Sequence, residues 1–297
     1  MKPKLLIILG PTASGKSDLA VKIAKKYNGE VVSADSRQVY KGLDIGSGKI
    51  TKKEMRGVPH YMLDVISPKK TFSVSDFQKS SSDIIKKIQN RGKLPVVCGG
   101  TGFYIQSIVD GLVLPEVPPN KKLRESLEKK SISDLQKILK DLDINRYKNI
   151  DIKNPARLVR AIEIAKSLGE VPRLKKLDSG YDILQIGIKL SDEDLKDRIN
   201  KRLLSRMKKG MVDEAKKLHK NGLPWKRMRE FGLEYRYLAD FCEKKITKDD
   251  LIKKIEIENW RYAKRQMTWF KKDKRIKWFP LSDIKDIEKE VDRFIAE

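Results

Sequence analysis

The chain has 297 residues, of which 66 are Lys or Arg and 41 are Asp or Glu, a formal net charge of +25. That length carries a full hydrophobic core as one large or two modest domains. The basic excess points to a polyanionic partner, nucleic acid before membrane, with a merely Lys-biased solvated surface as the plainer alternative. Two distant cysteines, Cys98 and Cys242, with no C-x-x-C pair speak against a disulfide framework or a zinc knuckle, and no stretch approaches the ~20 apolar residues of a membrane span.

The run Leu5-Leu6-Ile7-Ile8-Leu9 reads as a first strand. It is too short for a signal peptide, so a cytoplasmic location is expected. It leads into Gly10-Pro11-Thr12-Ala13-Ser14-Gly15-Lys16-Ser17, a complete G-x-x-x-x-G-K-[ST] loop, and then into a helical stretch from Asp18 to Tyr27. Strand, loop and helix in this order are what a phosphate-binding P-loop requires. Gly10 and Gly15 let the backbone turn its N–H groups inward, and the new helix adds its positive dipole end. Lys16 supplies a point charge, and the Ser17 hydroxyl can ligate Mg2+. A di- or triphosphate ligand is expected, ATP among the possibilities, because such a loop reads phosphates and not the group behind them.

Glu30 to Ala34 is a second strand, followed directly by Asp35-Ser36. A carboxylate at the carboxyl end of a parallel strand shares that edge with the P-loop, where it can hold Mg2+, cap a turn or act as a base. A helix from Val74 to Arg91 precedes a further strand, Leu94 to Cys98, in which Cys98 reads as a small core residue. Gly99-Gly100-Thr101-Gly102-Phe103-Tyr104 follows, and Thr101 is either a plain helix cap or a ligand contact. The Val96–Gly100 segment lacks the Asp that many P-loop hydrolases use to hold Mg2+, so hydrolysis of ATP is not the expected activity.

The three prolines of Leu114 to Pro119 mark a linker, and Lys121 to Lys176 reads as helical without strands. Within it, Asn154-Pro155 opens a helix carrying Arg157 and Arg160 on one face. Ile183 to Leu190 is a returning strand, and Ser191 with Asp194 caps a helix expected to run to about Lys220. On that helix Arg198, Arg202 and Arg206 form a row beside an apolar stripe of Leu195, Ile199, Leu203 and Met207; the row either reaches an anion or is a solvated face. Trp260 to Lys272 interleaves aromatics with cations, a mixture that suits RNA or an amphipathic core helix. Arg275 to Phe279 is a last strand before a closing helix. His60 and His219 are isolated and read as structural. Alternating strands and helices predict an α/β fold, a P-loop parallel-sheet core with helices on both faces and a helical insertion domain. The divisions are 1–113 and 181–297 for the core and 114–180 for the insertion.

Five segments in this order, GPTASGKS at 10–17, DSRQVY at 35–40, GGTGFY at 99–104, NPARLVRAIE at 154–163 and RYAKRQMTWF at 261–270, make the chain resemble the bacterial tRNA dimethylallyltransferase (tRNA isopentenylpyrophosphate transferase) family. The resemblance spans nearly the whole chain and departs at Tyr61, where the family usually has a second His. It implies transfer of a dimethylallyl group from dimethylallyl diphosphate to N6 of adenosine 37 in tRNAs that read codons beginning with U. The P-loop would then hold the donor's diphosphate, with Mg2+ on Ser17. Asp35 would be the general base and Thr101 would contact the diphosphate near the breaking C–O bond. Asp35, Ser36, Arg37, Gln38, Thr101, Arg157 and Arg160 would meet the anticodon stem-loop, with the target base flipped out of its stack, and the enzyme is expected to act as a monomer. Without the resemblance, a small-molecule kinase, a non-catalytic RNA-binding ATPase and a prenyltransferase of free adenine nucleotides all remain open.

Overall fold

The computed structural model describes residues 2–297. In chain order the elements are β1 (Lys4–Leu9), α1 (Lys16–Lys26), β2 (Gly29–Ala34), α2 (Lys52–Met55), β3 (His60–Tyr61), α3 (Val74–Gln89), β4 (Leu94–Gly99) and α4 (Gly102–Val109). They continue with β5 (Leu112–Val113), α5 (Lys121–Leu127), α6 (Ile132–Leu142), α7 (Ile144–Lys148), α8 (Pro155–Leu168), β6 (Lys175–Lys176) and β7 (Asp182–Lys189). The last are α9 (Asp192–Lys208), α10 (Met211–Lys220), α11 (Trp225–Glu230), α12 (Leu233–Cys242), α13 (Lys248–Phe270), β8 (Ile276–Pro280) and α14 (Ile284–Ala296).

Two units partition the chain. One comprises residues 1–111 and 178–297, the other residues 112–177. In the first, six strands form a sheet in the order β3-β2-β4-β1-β7-β8, every pairing parallel. Successive strand residues face opposite sides, and both sides are covered. Leu5, Ile7 and Leu9 of β1 join one core with Phe77 of α3 and Tyr104 of α4. Leu6 and Ile8 join the other with Leu19 and Ile23 of α1 and Val291 of α14. Strands buried on both faces explain why β1 reads as an unbroken apolar run rather than an alternating one. Local signals start the helices: Ser73 with Asp76 and Thr247 with Asp250 form complete capping boxes for α3 and α13.

The second unit has its own small core, in which Leu135 and Leu139 of α6 pack with Leu158 and Ile162 of α8. Asn154 caps α8 with Pro155 in its first turn. Glu163 is buried and accepts from the Asn120 N–H at 2.6 Å and from the Arg124 guanidinium at 2.9 and 2.7 Å.

Two expectations from the sequence need correction. The stretch 121–176 is not free of strand, because Lys175–Lys176 pairs antiparallel with Leu112–Val113; a two-residue ribbon has no readable period. The helix expected from Ser191 to about Lys220 is two helices, α9 and α10, separated at Gly210, whose φ of +90° lies where side-chain-bearing residues are strained. The sheet also gains β3, equally short, paired with Val31–Val32 of β2.

Candidate functional site

Leu9, Ala34 and Gly99 end the adjoining strands β1, β2 and β4 in register. The loops that follow them therefore meet at the carboxyl edge of the sheet, where ligands of open α/β folds bind. The P-loop occupies the first position. Gly15, with φ +87°, turns the chain into α1, so that the first N–H groups of that helix point out of the loop. The half-buried Lys16 donates to the Pro11 carbonyl at 3.1 Å. Burial lowers the pKa of its ammonium, Arg202 adding to the effect and Cys98 and Asp35 opposing it. Ser17 is exposed at the start of α1, while the Ser14 hydroxyl is buried without a partner. Cys98 is a buried core residue as expected, and burial pushes its thiol up to about 11.

Asp35 closes a tight turn. Its Oδ1 accepts from the N–H groups of Arg37 at 2.8 Å and Gln38 at 3.3 Å, which fixes the carboxylate and leaves Oδ2 free of hydrogen bonds among the described residues. Thr101 starts α4 but its side chain does not cap that helix. Instead, its Oγ1 accepts the Ser36 N–H at 3.0 Å, tying the loop after β4 to the loop after β2. A third tie comes from α13. Gln266 accepts the Thr12 N–H at 2.8 Å and donates to the Gly100 carbonyl at 2.8 Å, and any Cβ on Gly100 would collide with the Gln266 amide. The P-loop, the Asp35 turn and the glycine-rich loop are thus held by side chains from different parts of the chain.

The arginine row of α9 faces this site. Arg198 reaches toward Gly15 and Arg202 toward Gly48. Arg206 donates to the Gly46 carbonyl at 2.9 Å and pairs with the buried Glu234 at 3.1 Å, while its Nε is buried without a partner. Burial lowers the Arg202 pKa, and Arg206 beside it acts in the same direction. Two adjacent guanidinium groups beside the Glu234 carboxylate leave an unbalanced positive charge, the electrostatic condition for holding an anion. The loop over them is pinned from α10: Glu214 accepts from three successive backbone N–H groups, Asp44 at 3.0 Å, Ile45 at 2.6 Å and Gly46 at 3.0 Å, and from the Tyr235 hydroxyl at 2.8 Å.

Two cavities open beside Asp35. The first, about 60 Å³, is lined by Thr12, Lys16, Ser17, Asp35 and Arg202 at its polar end. The second, about 40 Å³, is lined by Arg37, Arg206, Glu234, Asn259 and Tyr262, among others. Thr12, Asp35 and Ser47 belong to both walls. Burial pushes the Tyr262 hydroxyl up to about 12, with Asp35 next in effect, so it stays protonated at neutral pH.

Lys16, Ser17, Asp35, Arg37 and Gln38 from the sequence reading thus line these cavities, whereas Thr101 lines neither and acts on the Asp35 turn. Arg157 and Arg160 belong to the other unit. There Arg160 pairs with Glu163 and donates to the Val117 carbonyl at 3.0 Å, and the exposed Arg157 lies 3.4 Å from Asp151. The aromatic–basic segment is an amphipathic helix face: Ala263, Gln266 and Phe270 are buried, and Trp260 lies between the ammonium groups of Lys196 and Lys264. His219 stacks on Trp225 at 3.9 Å, in line with a structural role, but His60 lines the first cavity. Glu214, Glu234 and Asn259 escaped the sequence reading because no motif marks them, and Tyr262 stood inside the quoted 261–270 segment without being singled out. Gln266 stood inside a quoted motif but was grouped with its RNA-suited neighbours.

The "IPP transferase" family model matches residues 38–273. A tRNA dimethylallyltransferase of Anoxybacillus flavithermus is 36% identical over 300 residues, covering 99% of this chain and 96% of that protein. The crystal structure of the full-length tRNA isopentenylpyrophosphate transferase of Bacillus halodurans superposes with a TM-score of 0.76 at 34% identity, covering 99% of this chain and 97% of that one. A eukaryotic dimethylallyltransferase, solved while acting on tRNA, superposes with a TM-score of 0.74 at 25% identity, over 90% of this chain and 70% of that one.

Proposed function

Because the chain belongs to the IPP transferase family, we propose that it transfers a dimethylallyl group from dimethylallyl diphosphate to N6 of adenosine 37 in tRNAs that read codons beginning with U. The products are N6-(dimethylallyl)adenosine and diphosphate. The observation that carries the reading is the pair of cavities sharing Asp35: one has a P-loop floor for a diphosphate, the other a protein-lined slot for a base.

The donor's diphosphate lies on the P-loop, residues Gly10 to Ser17, with Lys16 and the arginine row around it. As C1–O breaks, its electron pair leaves with the diphosphate, and these fixed cations and N–H groups stabilise the growing charge. Losing one such preorganised donor typically costs about 3 kcal/mol of barrier. The adenine enters the second cavity, flipped from the anticodon loop. The N6–C1 bond forms, and the N6 proton passes to Asp35, whose free Oδ2 faces that task because Oδ1 is engaged by Arg37 and Gln38. Proton removal of this kind contributes roughly 100- to 10,000-fold. Thr101 acts through the turn that carries Asp35, its hydroxyl accepting the Ser36 N–H.

The residues present fit Mg2+. The ion usually needs only one or two protein ligands and takes the rest from phosphates and water, and the exposed Ser17 hydroxyl is such a ligand. No group of three or more His, Cys, Asp or Glu among the described residues forms an all-protein cage. Bound there, Mg2+ would supply charge neutralisation to the diphosphate. Ser36, Arg37, Gln38, Arg157 and Arg160 contact the tRNA, and the enzyme works as a cytoplasmic monomer. No helix among the described residues is long and apolar enough to cross a membrane.

The test is a transfer assay with Mg2+ and labelled dimethylallyl diphosphate, offered unmodified tRNA carrying A36-A37-A38 and, separately, AMP. Label in tRNA alone is expected. Label in AMP would make this a free-nucleotide prenyltransferase, and ATP turnover without label in either would return the P-loop to a kinase or ATPase.

A further inference from the structure

Glu214 lines neither cavity, yet it holds the loop that reaches both through Ser47. The backbone from Asp44 to Gly46 turns three successive N–H groups onto its carboxylate, and the Tyr235 hydroxyl adds a fourth donor. Four donors match the lone-pair sites of an ionised carboxylate. Successive backbone N–H groups make an anion cradle, and here the chain fills that cradle with its own α10 side chain. Tyr235 is buried, and burial with Glu214 beside it raises the pKa of its hydroxyl, which therefore donates at neutral pH.

The carbonyls of the same loop hold the arginine row. The Gly46 carbonyl accepts from Arg206 at 2.9 Å, and the Gly48 carbonyl accepts from Arg202 at a longer 3.5 Å. The Gly48 carbonyl also accepts from the Gln38 amide at 3.4 Å, which links the loop to the turn carrying Asp35. The packing leaves no room for a side chain on Gly46, where a Cβ would collide with the Tyr235 ring. Glu214 thus fixes the N–H groups of a segment whose Gly46 carbonyl aims a guanidinium.

We propose that Glu214 is a positioning residue for the transfer step: by clamping Asp44–Gly46 it sets where Arg206 stands as charge grows on the departing diphosphate. This rests on the prenyl-transfer reading and adds to it a residue outside both substrate cavities. A guanidinium hydrogen-bonds as a rigid planar fork, so its carbonyl acceptor decides its orientation as well as its place. Misplacing a catalytic group by about 1 Å costs on the order of 100-fold. Glutamine at 214 keeps the shape of the side chain but turns an NH2 group onto N–H donors. The clamp is lost while Arg206 and Asp35 remain.

The experiment is a double-mutant cycle read by single-turnover transfer at saturating tRNA and dimethylallyl diphosphate, with rates normalised to the folded fraction. Glu214→Gln should slow transfer about 10- to 100-fold and leave the tRNA Kd within about twofold. Because Glu214 acts through Arg206, the variant carrying both Glu214→Gln and Arg206→Lys should be no more than about threefold slower than Arg206→Lys alone. A purely structural role for Glu214 would not produce that coupling. Factors that multiply, or a Glu214→Gln rate within about twofold of wild type, overturn the assignment and leave the prenyl-transfer reading standing. Wild-type protein that labels no tRNA removes both. Should Glu214→Gln fail to fold, Tyr235→Phe decides, because it takes one donor from Glu214 and leaves the backbone N–H groups. It should slow transfer at least about threefold and again fail to multiply with Arg206→Lys. An unchanged rate or multiplying factors in that variant overturns the assignment.

Discussion

The two cavities that meet at Asp35 are assembled in opposite ways. The phosphate end of the first comes mostly from one contiguous stretch, Thr12 to Ser17, whose spacing alone forces the backbone into an anion cradle. The second draws Arg37, Arg206, Glu234 and, from α13, Asn259 with Tyr262, four places far apart in the chain. A diphosphate presents the same oxygens in every setting and can be met by a local backbone device. A base flipped out of RNA presents a shaped edge, and matching it requires side chains converging from several elements. What joins the two designs is a set of long-range ties, Gln266 between the P-loop and Gly100 and Thr101 between α4 and the Asp35 turn.

The largest expected effect that separates the cavities is at Lys16. Lys16→Met should lower kcat/KM for the donor by about 100- to 1,000-fold and leave the tRNA Kd within a few-fold; equal losses for both substrates would mean the cavities are not separable. The same residue gives a pH dependence. Burial lowers the Lys16 pKa below its ordinary ~10.4, so the ammonium is lost as pH rises through that lowered value. Donor KM should therefore rise on the alkaline side earlier than an unperturbed lysine allows, and Lys16→Met should abolish that rise. Next in size is Gln266→Ala, which leaves the Thr12 N–H and Gly100 carbonyl without their partner. A loss of about 1–3 kcal/mol should appear in thermal stability, and KM should rise for both substrates. An effect confined to one substrate would show that Gln266 serves one cavity and does not join them.

A smaller effect is expected outside both cavities. Arg157→Ala should weaken tRNA binding several-fold and reduce the salt slope of log K by about 1, with donor KM unchanged; an unaltered slope would remove Arg157 from the phosphate contacts. The smallest concerns Asp273, which lines neither cavity. Burial would raise its pKa, but hydrogen bonds from the Arg275 guanidinium and backbone and from Gln185 hold it down to about 2. A depressed carboxyl contributes stability that is complete above its unfolded pKa of ~3.9 and is lost as pH falls through about 2. Melting temperature measured across that window should fall less steeply in Asp273→Asn than in wild type, without change in either substrate's KM at neutral pH.

Much of the sheet was legible because β1, β2, β4 and β7 are apolar runs long enough to stand out. The P-loop and Asp35 were legible because local spacing and a strand end define them. What stayed hidden is short or non-local. β3, β5 and β6 have two residues each, too few for any period, and their pairing is visible only once distant segments are side by side. The break at Gly210 carried a signal, a glycine inside a helical pattern, that the apolar stripe from Leu195 to Met207 before it outweighed. Glu214 looked like any surface acid on a Lys-rich helix, and only the fold brings three backbone N–H groups to it. The Arg198–Arg206 row was visible as a row, but whether it faced solvent or ligand depended on where Gly15 and Gly48 came to lie.

The central claim, that one carboxylate serves two separate cavities, is tested most directly by measuring Asp35→Asn for donor binding, tRNA binding and single-turnover transfer in one preparation. Asparagine keeps the side-chain oxygen that accepts from Arg37 and Gln38 but cannot take the N6 proton. Both Kd values within a few-fold of wild type, with transfer slowed roughly 100- to 10,000-fold, is the result expected. Transfer near the wild-type rate, or loss of one substrate's binding with normal turnover of what still binds, would contradict it.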